Sequence, residues 1–202
     1  VSERADEAAL LQRWKAGDRE AGQALIERAM PRLHRFFANK VEAADLEELT
    51  QKTLLGCLDR VEHIRPSPGF VAYMMGVARH QLFRHFRQRG PGRPDPLRDS
   101  VHELVDARRL SAAIGAQQDR YYLLQSLRRL PIDLQLTLEL YYWEDLSLAE
   151  VAAATEVPLG TVKSRLGRAK QTLRGILAEL PLSEPARRAS TSDLDAWAKT
   201  FR

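Results

Sequence analysis

Seven residues, Gly90-Pro-Gly-Arg-Pro-Asp-Pro96, set the limits on what this chain can fold into. Three prolines and two glycines in that space cannot continue a helix. Almost everything on either side carries apolar residues at helical spacing, and no convincing alternating strand pattern interrupts it. The chain is therefore predicted to be all-α, with two small helical domains joined by a flexible linker. The first spans 1–90, the linker 91–118, the second 119–180, and a tail 181–202 follows.

Within the first domain, Asp6 to Ala16 reads as a helix ended by Gly17. Arg19 to Met30 is a second, stopped by Pro31, after which Leu33, Phe36, Phe37 and Val41 continue an apolar face. Asp45 to Val61 places Leu46, Leu49, Thr53, Leu54, Cys57, Leu58 and Val61 along one side. Arg65 to Gly69 is a loop by its proline and glycine content, and Phe70 to Arg89 is another long helix. A loose helix is expected from Asp99 to Ala113. Pro181 to Ser192 is tail-like, and Asp193 to Phe201 forms a short helix with Ser192 as its N-cap and Leu194, Trp197 and Phe201 on one face.

Apolar residues make up 44% of the 202 and charged ones 29%, enough for small helical cores with a polar surface. No apolar run approaches the roughly 18–20 residues a bilayer crossing needs. The first residues are too polar for a signal peptide, and the single cysteine, Cys57, leaves no internal disulfide, so the cytoplasm is expected. Net charge is only +4, but its distribution is uneven. His63 to Pro94 contains no Asp or Glu while carrying Arg65, Arg79, Arg84, Arg87, Arg89 and Arg93. Val157 to Ala178 is again free of acids and holds Lys163, Arg165, Arg168, Lys170 and Arg174. Two acid-free basic segments on helical patterns suggest two contacts with one polyanion.

The second segment belongs to a recognisable local pattern. Leu148, Val151 and Ala152 are spaced for one buried helix face, Val157 marks an inward turn, and Pro158 suits a helix start. Val162, Leu166 and Leu173 then bury the following helix, leaving Thr161, Lys163, Ser164, Arg165 and Arg168 outside near its beginning. In a helix-turn-helix that part of the second helix reaches base edges in the major groove, with Arg reading guanine and Lys, Ser and Thr holding phosphates.

Ser147 to Arg168, with its Pro-x-Gly-Thr-Val-Lys-Ser-Arg core, resembles region 4 of bacterial sigma factors. The similarity extends upstream through Leu127-Arg-Arg-Leu-Pro131 and Leu138-Glu-Leu-Tyr-Tyr-Trp-Glu-Asp-Leu146. Phe70-Val-Ala-Tyr-Met-Met-Gly-Val-Ala-Arg-His80 is similar to the family's region 2 pattern Phe-x-x-Trp-Leu-x-x-Ile-Ala-Arg-Asn, with His80 in place of Asn and His85 in place of an expected Asp. Asp45-Leu-Glu-Glu-Leu-Thr-Gln-Lys-Thr-Leu54 resembles region 2.2. No region 3 intervenes, which points to the small extracytoplasmic-function class. The resemblance implies a factor that lends promoter recognition to core RNA polymerase. Region 4 would read the −35 element through Thr161, Lys163, Ser164, Arg165 and Arg168 and touch the β flap. Region 2 would hold the melted −10 strand through His63 to Gly69 and through Arg79, His80, Arg84 and Arg87. Glu48, Gln51 and Lys52 would dock on the clamp helices of β′. Lys52 stands where the family commonly has an acid, so phosphate on Thr50 or Thr53, placed by a Ser/Thr kinase, would restore the usual sign. An anti-sigma protein is the other candidate regulator.

A DNA-binding regulator that never meets polymerase would explain the helix-turn-helix alone, but not the segments 45–54 and 70–80 beside it. An enzyme finds little support. Cys57 lies on an apolar face and reads as core packing. No His–Cys metal spacing, glycine-rich phosphate loop or hydrolase elbow is present, so no catalytic residue, metal or cofactor is expected.

Overall fold

The computed structural model describes residues 2–65, 69–89 and 113–199. The linker and its expected loose helix fall mostly outside them. Every regular element among the described residues is helical. In chain order these are α1 (Ser2–Lys15), α2 (Arg19–Ala38), α3 (Ala43–Leu58), a 3-10 turn (Val61–His63), α4 (Phe70–Gln88), α5 (Ala113–Arg128), α6 (Ile132–Tyr142), α7 (Leu148–Thr155), α8 (Leu159–Ala178), α9 (Glu184–Ser192) and α10 (Leu194–Lys199). Two compact units result. The first holds α1 to α4 and groups residues 146–159, with α7, alongside them. The second holds α5, α6, α8, α9 and α10.

In the first unit Asp18 caps α2 by accepting from the Ala21 amide at 3.1 Å, after Gly17 has reversed the chain at φ 95°. Pro31 does not stop this helix, contrary to the sequence expectation. It sits on the exposed side, as does Glu27, whose carbonyl would have accepted the missing N–H bond and is not shut away from solvent. The buried stripe of Leu25, Ala29, Leu33, Phe36 and Phe37 runs straight past it. Gly22 is required by a close approach: a Cβ there would meet the Trp14 ring 2.6 Å away. Trp14 in turn packs edge-on against Phe70. The N-terminus of α4 has no side-chain cap of its own, and Glu7 of α1 supplies one by accepting from the Val71 amide at 3.1 Å.

α7 opens with a capping box in which Ser147 and Glu150 satisfy each other's amides at 3.2 and 2.6 Å. It closes on Glu156 in the left-handed conformation at φ 56°. Ser147→Ala should lower unfolding stability by about 1 kcal/mol. A denaturant melt would show the midpoint fall at constant slope; an unchanged midpoint would mean that α7 does not depend on its cap.

In the second unit α6 is buried nearly all round, from Leu134 to Leu140 and at Tyr142, which marks it as the central helix. Two of its buried polar groups donate within the helix: Gln135 to Glu139 at 2.8 Å and Thr137 to the Asp133 carbonyl at 2.7 Å. Leu123 and Leu127 of α5 and Val162, Leu166, Ala169, Leu173 and Leu177 of α8 complete the core. Residues 184–192, expected to be tail-like, form α9. Ser183 is its cap, accepting from the Ala186 amide at 3.3 Å, and Pro185 sits in the first turn, where no helical N–H is needed. The cap of α10 is Asp193, which accepts from the Ala196 amide at 3.0 Å, and not Ser192, which belongs to α9. Leu194 is buried as expected, while Phe201 and the side chain of Trp197 lie outside the described residues.

Candidate nucleic-acid and docking surfaces

Helix α4 buries Phe70, Val71, Ala72, Met74, Met75, Ala78 and Leu82. Its outer face then carries His80, Arg84 and Arg87, spaced i, i+4, i+7, and all three are exposed as the sequence predicts. Arg79 is placed differently. Its guanidinium lies 5.0 Å over the Phe83 ring and 3.5 Å from Glu156, whose other carboxylate oxygen is 3.1 Å from His80 Nε2. Arg60, His63, Tyr73, His80 and Gln81 line a groove beside the α3–α4 connection, walled on its other side by Ala153 and Ala154 of α7 and by Glu156 at its end. Cationic rims and an aromatic wall suit the backbone and faces of unstacked bases. Arg89 is withdrawn from that surface, because it pairs with Asp45 and with Glu42 at 3.1 Å and so pins the end of α4 to the start of α3.

His85 joins the same cluster. Its Nε2 is buried 3.7 Å from Asp45, too far for a hydrogen bond, and finds no partner among the described residues. Burial holds the imidazole below the ordinary histidine range; Asp45 and Glu48 pull the other way, and Arg89 and Lys52 add to the lowering. A histidine whose native pKa is depressed leaves the unfolded chain binding the extra proton, so its contribution to stability is lost as pH falls below 6.5. Wild type should therefore lose more stability between neutral pH and pH ~5 than His85→Gln, as thermal melts across that window would show. Parallel curves for the two proteins would overturn this.

Helix α3 buries Leu49, Thr50, Thr53 and Cys57. Burial pushes the Cys57 thiol up to about 12, which fits core packing and not a nucleophile. The Thr50 side chain, which was not among the residues expected on the apolar side, lies inside the buried stripe. Thr50 is 1% exposed and Thr53 0%, and each hydroxyl donates to the carbonyl four residues back, at 2.8 and 2.7 Å. Neither hydroxyl is open to a kinase and neither site has room for phosphate in this fold, contrary to the expected switch at Thr50 or Thr53. Lys52 is ion-paired with Glu48 at 2.5 Å across one helical turn, and that bond holds the Glu48 carboxyl below its usual range. Leu58, expected inside, faces out at 41% exposure, and Leu55 is 58% exposed. Glu48, Gln51, Lys52, Leu55 and Leu58 thus share one outer face, offset by 0, 3, 4, 7 and 10 residues. The two leucines were missed by the sequence reading, although their phase with Glu48 and Gln51 was there to be found.

On α8, Lys163, Ser164 and Arg168 are exposed, and Thr161 and Arg165 are partly covered. Gly160 and Gly167 have open space where a side chain would be, so the helix backbone is accessible there. Ser164 donates to the Thr161 carbonyl at 3.0 Å. Arg165 reaches away from the exposed face to Asp133 of α6 at 3.0 Å. Arg168 is exposed and has no such anchor among the described residues, and its planar fork is a form suited to guanine or phosphate.

Comparison with known proteins converges on these same stretches. The sequence model described as Sigma-70 region 2 matches residues 25–91, and that described as Sigma-70, region 4 matches residues 120–173, together more than half of the chain. The ECF RNA polymerase sigma-E factor of Escherichia coli K12 is 21% identical over 181 residues, covering 86% of this chain and 95% of that protein. The RNA polymerase sigma-H factor of Pseudomonas aeruginosa is 23% identical over 180 residues, covering 85% and 93%. Among solved structures, CnrH in complex with the cytosolic domain of CnrY shares the fold with a TM-score of 0.63 at 17% identity, covering 87% of this chain and 99% of that one. The sigma factor RpoE from Bartonella quintana, in complex with the anti-sigma factor NepR, gives 0.59 at 22% identity, covering 78% and 96%.

Proposed function

The chain belongs to the sigma-70 family of RNA polymerase sigma factors, in its extracytoplasmic-function type, and from that premise we propose that three of its surfaces divide the work of promoter recognition. The observation that supports this most is that both family regions match on one chain and that Glu48, Gln51, Lys52, His80, Arg84, Arg87, Lys163, Ser164 and Arg168 are exposed. α3 docks on the β′ clamp helices through Glu48, Gln51, Lys52, Leu55 and Leu58. The outer face of α4, with His80, Arg84 and Arg87 and the groove beside His63, holds the opened −10 strand. α8 reads the −35 duplex, led by Arg168 and supported by Lys163, Ser164 and Thr161, while the same domain meets the β flap. Arg79 and Arg165 act at one remove, since each is already engaged inside its own unit.

The family's members are transcription initiation factors, and we assign the chain no chemistry of its own: polymerase makes the phosphodiester bonds. The Bartonella quintana sigma factor was captured with an anti-sigma factor, which supports an anti-sigma protein as the regulator of this chain too. No helix among the described residues is long and apolar enough to cross a membrane, in keeping with work beside a cytoplasmic polymerase. Reconstituting the full chain with core polymerase and sequencing the transcripts tests the whole reading. Start sites sharing one −35 and one −10 sequence are expected. Failure to bind core polymerase, or initiation without a common upstream sequence, would sink it.

A further inference from the structure

The family match ends at residue 173, yet the chain beyond it is folded onto the second unit. Leu182, Ala186, Ser190 and Leu194 are buried at spacings of four residues, a continuous inner face across α9 and into α10. Asp119 of α5 fixes the start of this segment, accepting from the Ser183 amide at 3.1 Å and from its hydroxyl at 2.6 Å. Its far end is fixed by Asp195. One carboxylate oxygen accepts from the Tyr142 hydroxyl at 2.5 Å and the other from Lys170 of α8 at 2.8 Å.

Lys170 is one of the cations of the acid-free stretch. Lys163, Lys170 and Arg174 follow at i, i+7, i+11 and so share one flank of α8. The tail supplies that flank with the acid the helix itself lacks. An exposed ion pair alone would hold little, but Asp195 arrives prepositioned, because the Leu194 side chain before it is fully buried and Tyr142 grips its other oxygen. Lys170 is further covered by the Tyr142 and Tyr141 rings, 5.5 and 6.0 Å from its ammonium. Burial pulls the Asp195 carboxyl upward, yet the bonds from Lys170 and Tyr142 outweigh it and leave the group below its ordinary range, ionised at neutral pH.

We propose that Lys170 is a further DNA-phosphate ligand of α8 and that the C-terminal segment 181–199 withholds it, with Asp195 standing where a phosphate would. This rests on the reading of α8 as the −35 helix. Undocking α10 returns one cation to the DNA surface, so the segment sets how strongly this unit holds DNA.

The test uses the full chain and a short mixed-sequence DNA duplex titrated over a salt series. Asp195→Asn should raise affinity several-fold at low salt and steepen the dependence of log affinity on log salt by about one unit, as one added phosphate contact requires. Lys170→Ala should cost several times more affinity in the Asp195→Asn background than in wild type. The proposal fails if Asp195→Asn binds no more tightly, or if its gain survives Lys170→Ala. Lys163→Ala, which removes an exposed phosphate-holding cation of α8, separates the two levels. If it leaves duplex binding intact, α8 is not the DNA helix and the premise falls; if it weakens binding while Asp195→Asn gains nothing, only the tail proposal falls. A measurement on wild type guards against a variant that unfolds: amine-labelling should modify exposed Lys163 faster than Lys170, and equal rates would overturn the withheld state.

Discussion

Leu55→Glu should lower the affinity of the chain for core RNA polymerase by roughly ten- to a hundredfold, about 1.4–2.8 kcal/mol. Leu55 sits at the middle of the α3 face, with Gln51 and Lys52 on one side and Leu58 on the other. An apolar side chain exposed at 58% on a helix whose opposite face is fully packed contributes nothing to the fold. On a partner it would become the desolvated centre around which Glu48, Gln51 and Lys52 form a polar rim, the arrangement in which a few residues dominate binding. A carboxylate at that centre would have to shed its water without a partner charge. The substitution leaves the buried stripe untouched, so the melting temperature should stay near wild type. Lys52→Glu is the informative companion. It removes the cation paired with Glu48 and adds a second acid to the rim. If the clamp surface accepts acids, as the family resemblance implies, this variant binds more tightly. Wild-type affinity for Leu55→Glu, measured with polymerase titrated against labelled chain, would mean that α3 is not the docking helix.

Local pattern made much of the architecture legible beforehand. The buried faces of α4 and α8 and the exposed His80–Arg84–Arg87 row follow from helical phase, which depends only on neighbours a few positions apart. What local pattern could not supply were decisions made across the chain. A proline costs a helix most in a dry interior, but here Pro31 and the Glu27 carbonyl it orphans lie on the outer face, and the sequence does not say which face is outer. Thr50 and Leu58 exchanged their expected places because a helix with apolar residues on more than half its circumference has no unique inner side until another helix covers it. α9 carried a readable start in Ser183-Glu-Pro, but its composition is polar and its few apolar residues have meaning only once Asp119 anchors Ser183.

The functional residues divide along the same line. Exposure of a basic side chain could be read from phase; its engagement could not. Arg79, Arg89 and Arg165 each belong to an acid-free run, and each is met by an acid from elsewhere: Glu156, Asp45 with Glu42, and Asp133. A cation count along the sequence therefore overstates the charge free to meet DNA. Arg84, Arg87, Lys163 and Arg168 remain solvent-facing.

That distinction makes the −35 helix testable with two substitutions three residues apart. Arg168→Ala should weaken binding of the reconstituted holoenzyme to its −35 duplex by about 1–3 kcal/mol, roughly five- to a hundred-and-fiftyfold, if the guanidinium pairs with a base. The loss should be largest on the cognate sequence and smaller on duplexes already altered at the base it reads. Affinity for core polymerase should not change, because Arg168 belongs to neither the α3 docking face nor any contact assigned to polymerase. Arg165→Ala should behave differently. Its guanidinium already bonds Asp133 at 3.0 Å and is largely covered, so reaching a base would first break that pair. Its removal leaves Asp133 without this partner and loosens α8 against α6. A lower melting temperature with a smaller, sequence-independent loss of DNA binding is expected. Asp133→Asn supplies the converse: it releases Arg165 without removing it, so DNA affinity should hold or rise while stability falls. Thermal melts and duplex titrations on the three variants give six numbers against one assignment. If Arg165→Ala costs the greater share of sequence-specific affinity, or Arg168→Ala weakens every duplex equally, then Arg168 is a phosphate contact, and the base-reading role passes to a residue that must swing out of its ion pair to perform it.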